Sequence, residues 1–532
     1  MRKIYSVWGS GLLFLIVIGA LFYKSLFFGL TYLDDQVWTL DYQWFLVNWL
    51  NAVKFFTKPD FISPCFYRPF LDLSFMIEAH LGHFQIWVYH FTNILLHFLG
   101  TCFAYKFFEH FLKDKKPALI LALVFAVHPV LSLAAAWIPG RTDSILAVFA
   151  LPAFLCFVNY LDQRKKILWI GYVLLTAGAF LCKETALVLP VMCILYLLIY
   201  KKEWGFKNYT GLWIFWGLGI TGFLILRKSI LALPASTISW DRLFTSFFQN
   251  LPTLILGWGK AFFPVNVSVL PTLGDSSLGI GIAALTVMIV LLLVTKQKVW
   301  PNIIFGGIWF VFFLLPSLIL SFIEHEYRLY LSLLGFILIL AQTDIFRWSM
   351  QGRRVWLWAL IIIALAGKSF YHIDHVRNRL EFWKTAVINS PHSPLAHRNL
   401  AAMYFLDKDL DRAEVEFKKA ADLNFQEPMV HNNLGLIDMN RGRFTEAEKE
   451  YLLEIKFNPA YGNAYYNYGL LKFMQKQYAD SAKLFEQAVY YDPKHVDAVK
   501  MLIQYYHFSN DATRAQYWEE YLRRNGVTLS TN

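Results

Sequence analysis

Runs of about 20 apolar residues recur through the first 370 positions of the chain, and no other feature limits its fold so strongly. That length matches an α-helix crossing the hydrocarbon core of a bilayer. The 57% hydrophobic content and mean hydropathy of +0.41 agree with a polytopic helical membrane protein, and 532 residues exceed one ordinary domain. The runs predict about eleven spans: Val7 to Leu30, then 86–112, 117–137, 143–161, 167–182, 184–200, 209–226, 276–295, 300–320, 327–345 and 354–370.

The connections alternate in chemistry. Lys113/Lys115/Lys116, Arg164/Lys165/Lys166, Lys201/Lys202/Lys207, Lys296/Lys298 and Arg347/Arg353/Arg354 fall on every second connection, which the positive-inside rule makes cytoplasmic. The net charge of +11 is therefore topological and does not indicate nucleic acid. Arg2 and Lys3 before the first run predict a signal anchor, and the terminal Leu-Ser-Thr-Asn is no ER-retention signal. The other connections are extracytoplasmic. They hold Asp34/Asp35, His128-Pro129 with Arg141-Thr142-Asp143, Lys183-Glu184, the 227–275 segment, and Glu324-His325-Glu326-Tyr327-Arg328. Every unusual ionisable cluster of the membrane half falls on one face.

Beyond Lys368 a 34-residue period appears in units 393–426, 427–460, 461–494 and 495–528. Ala413 recurs as Ala447, Ser481 and Ala515, and Phe417 as Tyr451 and Phe485. Small residues where two helices touch, aromatics between pairs and a closing Pro form the tetratricopeptide (TPR) pattern. The domains are thus 1–371, membrane-embedded, and 372–532, a half-repeat plus about four repeats. An odd number of spans puts the array on the extracytoplasmic face.

Asp34 and Asp35 follow the first span directly. Acids are scarce near a membrane, and a partly desolvated carboxylate can take a proton from an acceptor hydroxyl; the plain alternative is a solvated loop pair. Arg68 either pairs these acids or binds a phosphate, and Glu78 shares its loop. His90, Asn93 and His97 share one helix face and suit packed polar groups linking helices. Arg141, Lys183 and Arg328 offer cations at headgroup depth for a lipid-linked phosphate, or else anchor helix ends. The five cysteines have neither metal nor disulfide spacing. No phosphate-binding glycine loop occurs, so a nucleotide-sugar donor is not indicated.

The acid pair, Tyr67-Arg68-Pro69-Phe70, Tyr89-His90…Asn93 with His97, His128-Pro129…Trp137-Ile-Pro-Gly140-Arg141-Thr-Asp143, Lys183-Glu184-Thr185-Ala186 and Glu326-Tyr327-Arg328-Leu329 resemble the transmembrane-and-TPR O-mannosyltransferases of the GT-C superfamily. The resemblance implies an all-α, GT-C-type helical membrane domain followed by a TPR α-solenoid. It implies inverting transfer of a sugar, mannose or another hexose, from a polyprenyl-phosphate carrier to Ser or Thr. Asp34 would be the base with Asp35 beside it, and Arg141, Lys183, Arg328, His128 and Tyr327 would hold the donor. Arg68, Glu78, His90, Asn93, Asp143, Glu184 and Glu326 would support acceptor or structure. No cofactor is indicated, a divalent metal is not excluded, and the TPR concave face would take an acceptor protein or partner. Glu78 departs from the Asn-like residue expected there, and the array is shorter than in cadherin-acting members. Three rivals stand: a GT-C transferase acting on a glycan or lipid in envelope assembly, a non-enzymatic TPR scaffold, and a transporter, against which stands the lack of ionisable residues for coupling at most mid-membrane positions. The expected location is a bacterial inner membrane with site and array facing the periplasm, the ER membrane being the alternative.

Overall fold

The computed structural model describes residues 7–201, 210–231, 240–265, 267–319 and 326–524. Arg2, Lys3, Lys202, Lys207, Glu324, His325 and the terminal Leu-Ser-Thr-Asn lie outside them. Among the described residues the chain is all α, with no strand. It divides into two compact units, Met1–Asn389 and Ser390–Asn532.

In the first unit a helix stands at each of the eleven expected positions. Among the described residues, six are long and apolar enough to cross a membrane, seven if the bent pair Lys115–Val127 and Pro129–Ala136 is one span, and three more apolar helices are shorter. The bend of 54° falls at His128, where Pro129 has no N–H to continue the helix. Helices Ile86–Leu112 and Arg141–Gln163 end on Lys113 and Arg164, both left-handed at φ 55 and 54. Each stops its helix and sets a cation by the C-terminal carbonyls. Helices Trp300–Leu318 and Leu329–Leu340 cross at Gly306 and Gly335, where a Cβ on Gly306 would stand 2.7 Å from the Gly335 carbonyl oxygen. Such small-residue crossings let membrane helices approach closely.

The first unit ends at Asn389, later than the expected 371, because helix Arg379–Asn389 buries Phe382 and Trp383 in the membrane domain. Phe382 stacks on Trp137 with centroids 6.2 Å apart, and Trp383 Nε1 donates to the Thr31 carbonyl at 3.0 Å.

The second unit is four helix hairpins: Pro394–Leu406 with Leu410–Leu423, Val430–Asn440 with Phe444–Phe457, Gly462–Met474 with Tyr478–Tyr491, and Val496–Phe508 with Ala512–Arg524. Ala413, Ala447, Ser481 and Ala515 are all buried where the helices touch. Gly435 and Gly469 lie against the rings of Tyr451 and Phe485, with 2.7 Å from a built Cβ to ring carbon in each case. The turn within each hairpin uses a left-handed residue on the same period, Lys408, Gly442, Lys476 and Asn510.

Candidate active site

The turn after the first helix is built around Thr31 and Asp35. Asp35 is 1% exposed. Its Oδ2 accepts from the Thr31 amide at 2.6 Å and the Thr31 hydroxyl at 2.8 Å, while Oδ1 accepts from the Tyr32 amide at 2.8 Å. Thr31 is gripped by two indoles: Trp137 Nε1 donates to its Oγ1 and Trp383 Nε1 to its carbonyl, both at 3.0 Å. Folding the chain back this tightly puts Tyr32 at φ 59 and Asp34 at φ 69. Positive φ is tolerable for Asp and unfavourable for Tyr, the kind of local strain that surrounding structure must hold in place.

The two acids therefore divide. Asp35 spends both oxygens on the turn, whereas the half-buried Asp34 carboxylate has no hydrogen bond or ion pair among the described residues. Burial, and then the negative charge of Asp60, push Asp34 up from 3.8 to about 6. Burial also lifts Asp35 to about 6, against the lowering effect of its bonds to Thr31 and Tyr32.

A web of charges surrounds this turn. Arg68 donates to Glu184 Oε2 through Nε and Nη2, both at 3.1 Å, and lies over the Phe66 ring. Lys183 Nζ donates to Asp143 Oδ2 at 2.6 Å, and burial pulls its amine below the usual range against the pull of Asp143. Tyr327 is within electrostatic reach of Asp34, Arg68, Asp143 and Arg328, and its ring lies 5.8 Å from Trp137. Arg328 is half-buried and within reach of Lys183, yet makes no hydrogen bond or ion pair among the described residues. Asp60, 6% exposed and in reach of Arg68, Glu184 and Asp34, belongs to this web. It was not singled out from the sequence; an acid in a Pro- and aromatic-rich outer loop was the available signal.

Other sequence candidates are committed to the scaffold. Arg141, expected as a donor-binding cation, is 0% exposed. Its Nη1 donates to Glu78 Oε1 at 2.5 Å, its Nη2 to the Tyr89 carbonyl at 2.8 Å, and the guanidinium covers the Phe75 ring at 4.2 Å. Arg141 opens helix Arg141–Gln163 and pairs with Glu78 of helix Pro69–Gly82. Such a partner takes the place of the Asn-like residue expected at 78. His128 bridges the helix break, its Nε2–H donating to the Ala261 carbonyl and its Nδ1 receiving the Val130 amide. His90 and Asn93 bond the carbonyls of Ala136 and Trp137, and His97 joins Tyr330 to the Ala126 carbonyl. These three tie helix Ile86–Leu112 to its neighbours. Glu326 pairs with Lys260 at 2.9 Å and accepts from the Ser268 amide. Among the described residues no group of three or more His, Cys, Asp or Glu could hold a metal.

Residues 69–226, which carry Arg141, Lys183 and Glu184, match the family model for dolichyl-phosphate-mannose-protein mannosyltransferases. The protein O-mannosyl-transferase TMTC3 of Mus musculus is 34% identical over 133 residues, which is 24% of this chain and 14% of that protein. TMTC2 of Mus musculus is 35% identical over 115 residues, 22% and 13% of the two lengths, and Tmtc1 of Drosophila melanogaster 31% over 127, or 24% and 15%. The matches thus span well under two thirds of these curated relatives. Among solved structures, MamA aligns at TM-score 0.25 and 18% identity over 28% of this chain and 86% of that one. PilF of Pseudomonas aeruginosa aligns at 0.26 and 17%, over 33% and 73%. The chain is a multi-pass helical protein with a TPR solenoid, and residues 69–226 of its membrane unit are similar to the protein O-mannosyltransferases, the family its motifs resemble.

Proposed function

We propose that the chain is an integral-membrane glycosyltransferase. It moves a sugar, mannose or another hexose, from a polyprenyl-phosphate carrier to Ser or Thr hydroxyls of proteins on the extracytoplasmic face. The observation that carries this is that a carboxylate, Asp34, and a cation, Arg328, neither with a hydrogen bond or ion pair among the described residues, both lie within electrostatic reach of Tyr327. A buried charge without a partner is costly in any fold, and a purely structural membrane anchor has no use for two of opposite sign.

The chemistry is one displacement. The acceptor hydroxyl oxygen attacks the anomeric carbon from the face opposite the phosphate, the bond from that carbon to the phosphate oxygen breaks, and the hydroxyl proton passes to Asp34. Configuration inverts. A base with a pKa near 6 is mostly ionised at neutral pH and still basic enough to contribute about 10²–10⁴-fold. Arg328 neutralises the departing lipid phosphate, and Lys183 swings from Asp143 to assist, since interactions strongest in the transition state accelerate the step. Asp35, Trp137 and Trp383 hold the turn, Arg141 and Glu78 hold the helices behind it, and the TPR array captures the acceptor protein.

The test uses full-length protein in lipid nanodiscs, polyprenyl-phosphate-[³H]mannose and a Ser/Thr-rich acceptor peptide. Transfer is expected with wild type and absent with Asp34→Asn. Full transfer by that variant sinks the assignment. Label appearing on a glycan or lipid acceptor and never on peptide would transfer the reading to the envelope-assembly rival.

A further inference from the structure

The first helices of the TPR hairpins carry an amide row beside their packed seam. Asn399, Asn433 and Asn467 recur on the 34-residue period, and none of the three is buried. Ala402, Leu436 and Leu470 stand three residues further on, over the same helix face. In the fourth hairpin the corresponding position is Met501, so the row has three rungs.

Packing fixes where the row faces. Gly435 and Gly469, two residues past their asparagines, lie against Tyr451 and Phe485 of the second helix of their own hairpin. At about 3.6 residues per turn, positions two apart look to opposite sides, so the asparagines look away from that helix. Asn432 turns to the next hairpin, its Oδ1 accepting from Asn467 Nδ2 at 2.8 Å. Val430–Asn440 packs on Gly462–Met474, and among the described residues no two second helices pack to that extent. The first helices therefore form the inner layer of the solenoid, and the row lies on its concave surface, the side on which such arrays bind.

The face is uncharged. In the first hairpin it runs Leu395, Asn399, Ala402 and Leu406, at spacings of four and three, and neither there nor one and two periods on does it hold an Asp, Glu, Lys or Arg. An acidic, basic or phosphorylated partner finds no counter-charge here, so the complementary occupant is a neutral chain. Asn433 Nδ2 gives one proton to the Met429 carbonyl and Asn467 Nδ2 gives one to Asn432, both at 2.8 Å. Each keeps its second amide proton, and an Oδ1 that accepts no hydrogen bond among the described residues. A peptide group answers that pair, carbonyl to the proton and N–H to the oxygen. Packed helices stand about 8–10 Å apart, and an extended or polyproline-II chain covers about 9–10 Å in three residues. The rungs thus meet every third peptide group. Polyproline II turns the same side outward at that interval and has no internal hydrogen bonds of its own.

We infer that Asn399, Asn433 and Asn467 hold the main chain of an extended, uncharged polypeptide segment through its peptide groups, without reading its sequence. That the segment is a Ser/Thr-rich stretch of the acceptor protein rests on the function proposed above; the main-chain recognition does not.

Full-length protein in nanodiscs is titrated with an uncharged, end-capped Ser/Thr/Ala peptide of about twelve residues, labelled with ¹⁹F and followed by NMR. Saturable binding is expected, equal for a scrambled sequence, and weakened about fivefold by Asn433→Ala or Asn467→Ala. N-methylation of alternate residues, which no register of threes avoids, should weaken it about tenfold or more. Asn433 bonds only its own helix among the described residues, and Ala is the best helix former, so this variant stays informative if Asn467→Ala disturbs the hairpin contact. Asp34→Asn should abolish transfer and leave peptide binding intact, so the two readings fail separately. The inference is overturned by no saturable binding, by binding that the Asn variants or N-methylation leave unchanged, or by loss of binding on scrambling. Displacement by an uncharged oligosaccharide also overturns it and gives the face to a glycan.

Discussion

Asp34→Asn should raise stability and abolish transfer together. Asn is at home at φ 69, the value at Asp34, so the substitution removes charge without the backbone strain that Ala would add. Asp34 titrates near 6 in the folded protein against 3.8 for an ordinary carboxyl. Between those values the folded state holds the proton more tightly than the unfolded state, so stability falls as pH rises and the loss is complete above about 6. The gap is about 2 units, which at ~1.36 kcal/mol per unit amounts to about 3 kcal/mol before discounting for partial solvation. Asn escapes this loss, and it breaks no side-chain hydrogen bond because the Asp34 carboxylate makes none among the described residues. The assay is the apparent unfolding temperature by intrinsic tryptophan fluorescence, at pH 4 and pH 8. The variant should exceed wild type at pH 8 and converge on it at pH 4. Asp35→Asn should lie below Asp34→Asn at both, because its amide faces backbone donors that Asp35 satisfies, at about 1–3 kcal/mol for each one lost. A lower unfolding temperature for Asp34→Asn at pH 8, or higher transfer activity for it than for Asp35→Asn, refutes the division of labour between the two acids.

The wild-type transfer rate should climb about tenfold per pH unit below 6 and level off above it, as a base with that pKa must be ionised to act. Arg328→Gln should not lower the unfolding temperature, since the side chain has no partner among the described residues, while weakening donor-lipid binding by about 1.5–3 kcal/mol, read by titration with polyprenyl phosphate. Arg141→Met should prevent accumulation of folded protein, because it strands Glu78 at about 3–5 kcal/mol; Arg141→Met with Glu78→Met should recover much of it, seen as monodisperse yield. In the TPR array, His431 donates through both nitrogens, to Glu450 and the Phe425 carbonyl. Burial acts to lower its pKa, but these bonds carry it above the usual value. Its stabilisation is therefore full below about 6.5 and lost as pH rises through the folded value, and His431→Gln should flatten that slope in a pH series of melts.

The sequence revealed elements better than commitments. Helix positions were legible because hydrocarbon leaves the backbone few options, and the solenoid because its period repeats the same small and aromatic residues at Ala413, Ala447 and Ser481. The left-handed turn residues on that period, Lys408, Gly442, Lys476 and Asn510, were not legible, because their types differ and only the glycine announces itself. The acid pair and the outer cations were legible as a set. Which of them were spent was not, because counter-ions lie far off in sequence. Arg141 meets Glu78 across 63 positions, Arg68 meets Glu184 across 116, and Lys260 meets Glu326 across 66. No local pattern encodes such distances.

That difference between possessing a charge and leaving it unspent is what orders the candidates. The outer face offered the cations Arg68, Arg141, Lys183 and Arg328, and the fold supplied a carboxylate to the first three. It did so unequally. The Arg141–Glu78 pair is sealed, with side-chain exposures of 0% and 4%, whereas Lys183 keeps 11% and Arg68 12%. A sealed pair cannot exchange its partner for a phosphate without opening the core, at the several kcal/mol that breaking a buried pair costs. A rim pair can, because water already reaches it and the incoming anion replaces the outgoing one charge for charge. On the proposed function, the expected order of recruitment to a lipid phosphate is therefore Arg328, then Lys183 and Arg68, with Arg141 last. Single substitutions at these positions, ranked by the loss of donor binding relative to the loss of folded yield, should reproduce that order.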